Sequence, residues 1–310
     1  MIGIDVGGAN LKVIDRSGAH IHSCPLWKEA PLGDLLSAYA GRGENAAVVM
    51  SGELADSFSS KAEGIGFIVD VVKDHFPDAL FYGTDGKFHD CAVPELAAAN
   101  WLASADYLRG RYPDAVLLDV GSTTADIVPL GRFDDLLGLT DLLRLQRGYL
   151  VYTGMLRTNV ATILRAVEIN GIFTPVSTEY FACSGDAHLV LGTIRPEDYT
   201  SATPDGGQAT LAAALQRLAR VVCSDLEEIG EAAARSIALQ FWAAQQGMIL
   251  RAVWECMERS GGRHVVCAGI GSGVFAETLK GTDLNRDLGG MADALPAYAV
   301  LEVAQRNGSR

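Results

Sequence analysis

The sequence predicts an α/β protein of two related halves, each opening on an antiparallel hairpin. Three observations carry this. An apolar strand ending in aspartate, a turn of small residues and a second strand occur twice, at Ile2–Val13 and Leu117–Val128. Short apolar runs of strand length alternate with stretches of helical period. The 310 residues suit about two domains at roughly 150 residues each. The expected halves are residues 1–113 and 114–310, the second carrying a helical insertion.

The elements follow in order. Ile2-Gly3-Ile4-Asp5-Val6 is an apolar run broken by Gly7-Gly8-Ala9-Asn10, and Leu11-Lys12-Val13-Ile14 resumes it. Asp15-Arg16-Ser17-Gly18 turns and Ala19–Cys24 alternates, which makes an antiparallel meander. The alternation reads His20 and His22 as a solvent-facing strand edge in preference to a metal site. Next come a helix near Leu32–Ala40, a strand at Ala46–Met50, a helix near Phe67–His75 and a strand at Ala79–Tyr82. Pro94–Ala105 reads as an alanine-rich helix opened by proline, with Asn100 a candidate for facing a cleft. The second hairpin is Ala115–Val120, Gly121–Thr124 and Ala125–Leu130. From Leu211 to Phe241, spacings of 3 and 4 between apolar residues mark helix burying one face. Ser224-x-x-Glu227 fits a capping box, so a helix start is expected there, and Ser260-Gly261-Gly262 ends the region. Val265–Ala268 is a buried strand before Gly269-Ile270-Gly271-Ser272-Gly273, and Asp293–Ala304 closes the chain as a helix.

Composition excludes several functions. A formal net charge of -13 repels polyanions, which argues against general nucleic-acid binding. No apolar run approaches the roughly 20 residues of a membrane span. Met1 leads into a strand holding Asp5, with no charged-then-apolar leader, so a cytoplasmic protein is expected. Six cysteines without a CxxC pair support neither a disulfide scaffold nor a zinc ribbon. The expected partner is a small phosphorylated molecule, and a homo-oligomer stays open.

The 34 glycines concentrate in part at three turns, each following an apolar strand. A glycine turn lets the backbone approach an anion and points N–H groups at phosphate oxygens. The candidate phosphate-binding residues are Gly7, Gly8, Ala9 and Asn10; Gly121, Ser122, Thr123 and Thr124; and Gly269, Gly271 and Ser272. An aspartate just before such a turn repels phosphate unless a cation lies between, so Asp5 and Asp119 are candidate ligands of Mg²⁺ or another divalent metal. Lys12, on the second strand of the first hairpin, can return to the turn as a point charge. The plainer alternative is a pair of hairpin turns whose aspartates satisfy local N–H groups. A dinucleotide fingerprint fits worse, because the first turn leads into a strand and Gly269-x-Gly271-x-Gly273 has the wrong spacing.

These residues resemble a known superfamily. Asp5–Lys12 resembles the first phosphate motif of the actin, sugar kinase and heat-shock chaperone fold. Leu118–Ile127 resembles its second, especially the form found in the hydantoinase A/oxoprolinase family, and Val265–Gly273 resembles its adenosine motif. The resemblance implies two ribonuclease-H-like domains with a ligand cleft between them. The segments Gly148–Thr158, Glu179–His188 and Thr203–Gly206 are similar to short relatives linked to tetrahydromethanopterin one-carbon transfer, whose archaeal members make methanofuran. By that resemblance the segment 148–207 is a substrate segment. The implied activity is a Mg²⁺-dependent transfer that joins an aminomethylfuran diphosphate to a phenolic tyramine- or tyrosine-type acceptor and releases pyrophosphate. Asp5, Lys12, Asp119, Asp126 and Glu179 are then the candidate catalytic residues, with Asp119, Asp126 and Glu179 in no fixed order as the base. Asp126 reads equally well as a structural carboxylate. Thr153, Arg157, Cys183, Asp186 and His188 are candidate substrate contacts. Two other readings stand beside this one: an ATP-dependent kinase or amidohydrolase of the same fold, and a non-catalytic nucleotide-dependent regulator.

Overall fold

The structure is a computed structural model and describes residues 1–28, 31–41 and 45–308. The chain begins as the expected meander: β1 (Ile2–Val6), β2 (Asn10–Asp15) and β3 (Gly18–Ser23). Then follow α1 (Leu32–Ser37), β4 (Ala46–Met50), α2 (Lys61–His75), β5 (Leu80–Tyr82) and β6 (Phe88–His89). The first sheet has the order β3-β2-β1-β4-β5-β6, with β1, β4 and β5 parallel and β2 antiparallel to β1. β3 is the edge strand, and its two histidines make local contacts: His20 with Asp15 and His22 with Tyr39.

After α3 (Asn100–Leu108) the pattern restarts with β7 (Ala115–Val120), β8 (Ala125–Pro129), α4 (Asp141–Arg147) and β9 (Leu150–Val151). An insertion follows: α5 (Val160–Ile163), the hairpin β10 (Ala166–Ile169) with β11 (Ile172–Pro175), α6 (Ser184–Leu191), α7 (Leu211–Arg220) and α8 (Leu226–Ser260). The second sheet is completed by β12 (His264–Ala268), α9 (Ser272–Leu279) and β13 (Thr282–Asp283). Its order is β13-β12-β7-β8-β9. From the meander edge, both sheets therefore run third, second, first, fourth, fifth, with the second strand antiparallel to the first. That is the ribonuclease-H-like order, so the duplication extends from the hairpin to the whole sheet.

The last elements are α10 (Leu284–Leu288) and α11 (Leu295–Gly308). α3 and α11 lie between the sheets, where one buried cluster joins Ala47 and Val49 of β4, Leu117 of β7 and Val266 of β12 to both helices. α11 crosses β1 at Gly3, where any Cβ would collide with the carbonyl of Ala297. No helix among the described residues is long and apolar enough to cross a membrane.

Several elements differ from the sequence expectation. The helix expected over Pro94–Ala105 is broken: Pro94–Leu96 is one 3-10 turn, Ala98 is left-handed at φ 49°, and α3 starts only at Asn100. The Glu95 carbonyl is drawn out of the helical ladder by the backbone N–H (2.7 Å) and hydroxyl (3.0 Å) of Thr84. α2 begins six residues before Phe67, at Lys61, because Ser60 accepts from the Glu63 N–H and supplies an N-cap. The cap expected at Ser224 is made by Asp225, whose carboxylate accepts from the Glu228 N–H at 2.9 Å. α11 starts two residues after Asp293, since residues 289–294 form a tighter 3-10 turn.

Candidate active site

The two hairpin turns are built alike. Gly7 N–H donates to the Asn10 carbonyl at 3.0 Å, and Gly121 N–H donates to the Thr124 carbonyl at 2.9 Å. The turn carbonyls are then taken up from behind. Gly8 and Ala9 accept from Leu26 and Cys24, both at 2.9 Å. Gly121 accepts from Met155 at 2.9 Å, and Ser122 accepts from Leu156 and Arg157, both at 3.0 Å. The N–H groups of Gly8, Ala9, Ser122 and Thr123 donate to no protein acceptor among the described residues. With carbonyls occupied and amides left over, each turn presents net donors, the requirement of an anion cradle.

Both turns line one cleft. Its first chamber, about 260 Å³, is lined by Asp5, Gly7–Asn10, Lys12, Asn100, Asp119, Gly121–Thr124, Asp126, Arg144, Tyr152 and Arg157, among others. A second chamber of about 360 Å³ shares Asn10, Lys12, Asp119, Gly121, Ser122 and Pro296 with the first and runs on to Gly269, Ile270, Arg195 and Asp293. The junction of the two chambers is thus the Lys12–Asp119 region. A larger hollow, about 730 Å³, lies elsewhere. Its arginines are each paired: Arg109 and Arg306 with Asp106, and Arg132 with Asp135.

Register places the charges. Asp5 sits opposite Lys12 on the first hairpin, and Asp119 sits opposite Asp126 on the second. Where the first hairpin carries a cation, its counterpart carries an anion. Arg144 of α4 makes up the difference: its guanidinium pairs with Asp126 and, at 2.8 Å, with Asp141, and lies 4.3 Å over the Trp101 ring. Arg144 is almost wholly buried, yet its Nε finds no protein acceptor. Burial pushes the Asp5 carboxyl up to about 6, with Lys12 pulling it back. Burial and the charge of Asp126 push Asp119 up to about 7, again opposed by Lys12. Asp126 is raised by burial and pulled back by Arg144.

A divalent metal fits this donor set. Asp5 is 4% exposed and its Oδ1 has no hydrogen-bond partner, so one buried carboxylate oxygen is left for a cation. Among the described residues no group of three or more metal-ligating side chains gathers to form a protein-only cage. Two carboxylates, with water and phosphate oxygens completing the shell, is the usual binding mode of Mg²⁺.

Of the residues singled out in the sequence, the cleft gathers Asp5, Gly7, Gly8, Ala9, Asn10, Lys12, Asn100, Asp119, Gly121, Ser122, Thr123, Thr124, Asp126, Arg157 and Gly269. The others lie outside its lining. Glu179 is exposed on the insertion. Gly271 packs against Val120 and Met155, and the buried Ser272 hydroxyl accepts from Asn285 at 2.6 Å. Thr153, Cys183, Asp186 and His188 are fully buried behind the second turn. Asp186 pairs with the buried Arg217 at 2.7 Å and accepts from the Tyr199 hydroxyl at 3.2 Å. Cys183 Sγ lies 2.9 Å from the same hydroxyl, and burial pushes its thiol up to about 12, far from a thiolate nucleophile. These groups form a hydrogen-bonded core instead of a substrate surface.

Residues the sequence did not single out also line the cleft. Ser51, Asp141, Arg144 and Tyr152 line the first chamber, and Arg195, Asp198 and Asp293 line the second. Arg157 stacks 4.6 Å over Trp27, so the two halves meet at the mouth of the first chamber. Arg144 gave no signal because its partners Trp101 and Asp126 lie far away in sequence. Tyr152 sat inside a quoted segment, but strand alternation alone did not say which side chain looks into the cleft.

The hydantoinase/oxoprolinase family description matches residues 44–301. The chain is 33% identical over 325 residues to a (4-{4-[2-(gamma-L-glutamylamino)ethyl]phenoxymethyl}furan-2-yl)methanamine synthase of Methanocaldococcus jannaschii, covering 99% of this chain and 98% of that protein. A synthase of the same name from Methanococcus vannielii is 36% identical over 166 residues, 54% of this chain and 75% of that protein. A nucleotide-free acetone carboxylase structure aligns at TM-score 0.47 and 14% identity, over 94% of this chain and about half (51%) of that one. By its matching residues and its full-length similarity, the chain belongs to the hydantoinase/oxoprolinase family of enzymes.

Proposed function

We propose that this protein is a methanofuran-type synthase, a transferase that joins an aminomethylfuran diphosphate to the phenol oxygen of a tyramine- or tyrosine-type acceptor. The carrying observation is the doubled cradle: two donor-rich turns lining one cleft, with Lys12 and two raised aspartates at their junction. The relatives' name describes a phenoxymethyl-furan product, which contains an aryl ether bond of the kind this reaction would make.

The step balances as a displacement. The phenol oxygen forms a bond to the furan-bound methylene carbon, the bond from that carbon to the diphosphate oxygen breaks, and the electron pair leaves on pyrophosphate. The phenolic proton passes to a carboxylate. Asp119 and Asp126 line the first chamber and are the base candidates. Asp126 is tied to Arg144 and suits an orienting and charge-balancing part. Lys12 and the free turn N–H groups would hold the diphosphate and meet the charge that develops on it. Asp5 and Asp119 would hold Mg²⁺, which when bound supplies further stabilisation of that charge. Tyr152 and Arg157, at the outer part of the chamber, offer the acceptor a ring and a guanidinium.

The test is incubation with the aminomethylfuran diphosphate, Mg²⁺ and a panel of phenolic acceptors, following pyrophosphate and the ether product by mass spectrometry. Stoichiometric appearance of both is expected. Folded protein that forms neither with any acceptor overturns the reading. A second reading, an ATP-dependent kinase or amidohydrolase, is favoured by one observation: the cleft continues to Gly269 and Ile270, in the stretch resembling an adenosine motif. Calorimetric titration with ATP–Mg²⁺ separates the two, since tight binding with turnover supports the kinase or amidohydrolase.

A further inference from the structure

A fully buried side-chain amide stands behind the second turn. Gln245, on α8, donates from Nε2 to Thr153 Oγ1 and to the Gly154 carbonyl, both at 2.8 Å, while its Oε1 lies 2.9 Å from His188 Nε2. The Gly154 carbonyl can only accept, which fixes the amide orientation: Nε2 faces Gly154 and Oε1 faces histidine. His188 must then carry a proton on Nε2, and its Nδ1 lies 2.8 Å from the Thr193 hydroxyl, which also donates to the His188 carbonyl at 3.1 Å. The Thr153–Thr158 stretch is further tied by Thr158, whose hydroxyl accepts from the Gly154 N–H at 3.0 Å and whose own N–H donates to the Ser184 hydroxyl at 3.0 Å.

This stretch is the back wall of the turn. Gly154 packs so closely on Ser122 and Thr123 that a Cβ would lie 2.6 Å from their backbone atoms. The next three residues donate their N–H groups to Gly121 and Ser122. Among the described residues the first turn has no equivalent glutamine; its Gly8 and Ala9 carbonyls are met by the backbone of Leu26 and Cys24.

We propose that Gln245, seated on His188, is the positioning residue that holds the turn Gly121–Thr124 in its anion-binding shape through Thr153 and Gly154. That the turn takes a diphosphate rests on the function proposed above; the positioning itself does not.

The experiment uses Gln245→Met, which keeps the volume and removes all three hydrogen bonds, and Gln245→Glu, which keeps the acceptor toward His188 and removes both donations. Amide hydrogen exchange is measured in the full chain. In both variants, exchange of the Gly121 N–H and of the Met155, Leu156 and Arg157 N–H groups that bind the turn is expected to rise at least tenfold, while exchange of the Gly7 N–H in the matching turn stays unchanged. Equal loosening of both turns, or of neither, overturns the proposal. Calorimetry with Mg²⁺–pyrophosphate is the second arm, with at least a tenfold weaker Kd expected in the variants. Wild-type binding that the variants retain in full also overturns the proposal. No binding by wild type counts against the diphosphate reading instead, and the exchange pattern still decides the role of Gln245.

Discussion

Asp5 and Asp119 hold matching positions in the two hairpins, yet their cross-strand partners differ in sign, lysine in one and aspartate in the other. Lys12 draws both aspartates toward ionisation, while burial and, at Asp119 most strongly, the charge of Asp126 oppose it. Replacing Asp119 by Asn should lower kcat about 100-fold or more, the scale of a lost base, with an unchanged circular dichroism spectrum. An unchanged kcat would transfer the role to Asp126. His188 makes a second prediction at this scale. Burial lowers it from 6.5 to about 4, so the unfolded chain binds a proton in that window and the folded chain does not. The contribution of this group is complete above 6.5 and is lost as pH drops toward 4, by up to about 1.4 kcal/mol per unit, against the opposite slope of the raised Asp5 and Asp119, so it is read as the difference between wild type and the variant. Denaturant midpoints measured across that range should lose this slope in His188→Gln.

At the scale of elements, the second turn is held by a segment that is not its neighbour in sequence. Gly154 is glycine because the backbone of Ser122 and Thr123 occupies the space of a side chain. Gly154→Ala should push that turn forward and raise the pyrophosphate Kd about tenfold, while the first turn keeps its geometry. Equal affinity in calorimetry would show that the turn can yield without loss. Gly269 follows the same logic at the third turn. Its φ of +76° and the proximity of Val120 and Asp119 leave no room for a Cβ, so β12 can end beside Asp119 only through glycine.

At the scale of the molecule, α11 returns from the C-terminal half and packs on β1 and β4, so the two sheets share a core with α3 and α11 between them. Gly3 is where α11 passes closest to β1. Gly3→Ala should cost on the order of 1 to 3 kcal/mol by overpacking, read as a lower denaturant midpoint with an unchanged m value. Ligand should act across the same two halves. If both turns grip one diphosphate, saturating Mg²⁺–pyrophosphate at a hundred times its Kd should stabilise the fold by roughly 2.7 kcal/mol. A melting temperature unmoved by Mg²⁺–pyrophosphate would remove the two-turn cradle from the account.

The duplicated hairpin, its aspartates and its turn glycines were legible in the sequence because they are local: each turn needs small residues within a few positions of its strand. So was Lys12, since cross-strand register follows from the turn. The helical breaks were not, because the Glu95 carbonyl is diverted by Thr84, a residue reached only after folding. For the same reason Arg144 and Gln245 gave no sign. An arginine and a glutamine on helix surfaces are ordinary until tertiary packing sets one against Trp101 and Asp126 and the other against His188 and Gly154. Cys183, Asp186 and His188 show the converse: a cluster that looks chemical in sequence is a satisfied, buried network in three dimensions. The sequence by itself determined the duplicated hairpin and its two glycine turns. The tertiary structure decided which charges share the cleft and which polar groups only support it, because burial and long-range pairing are properties of the folded chain.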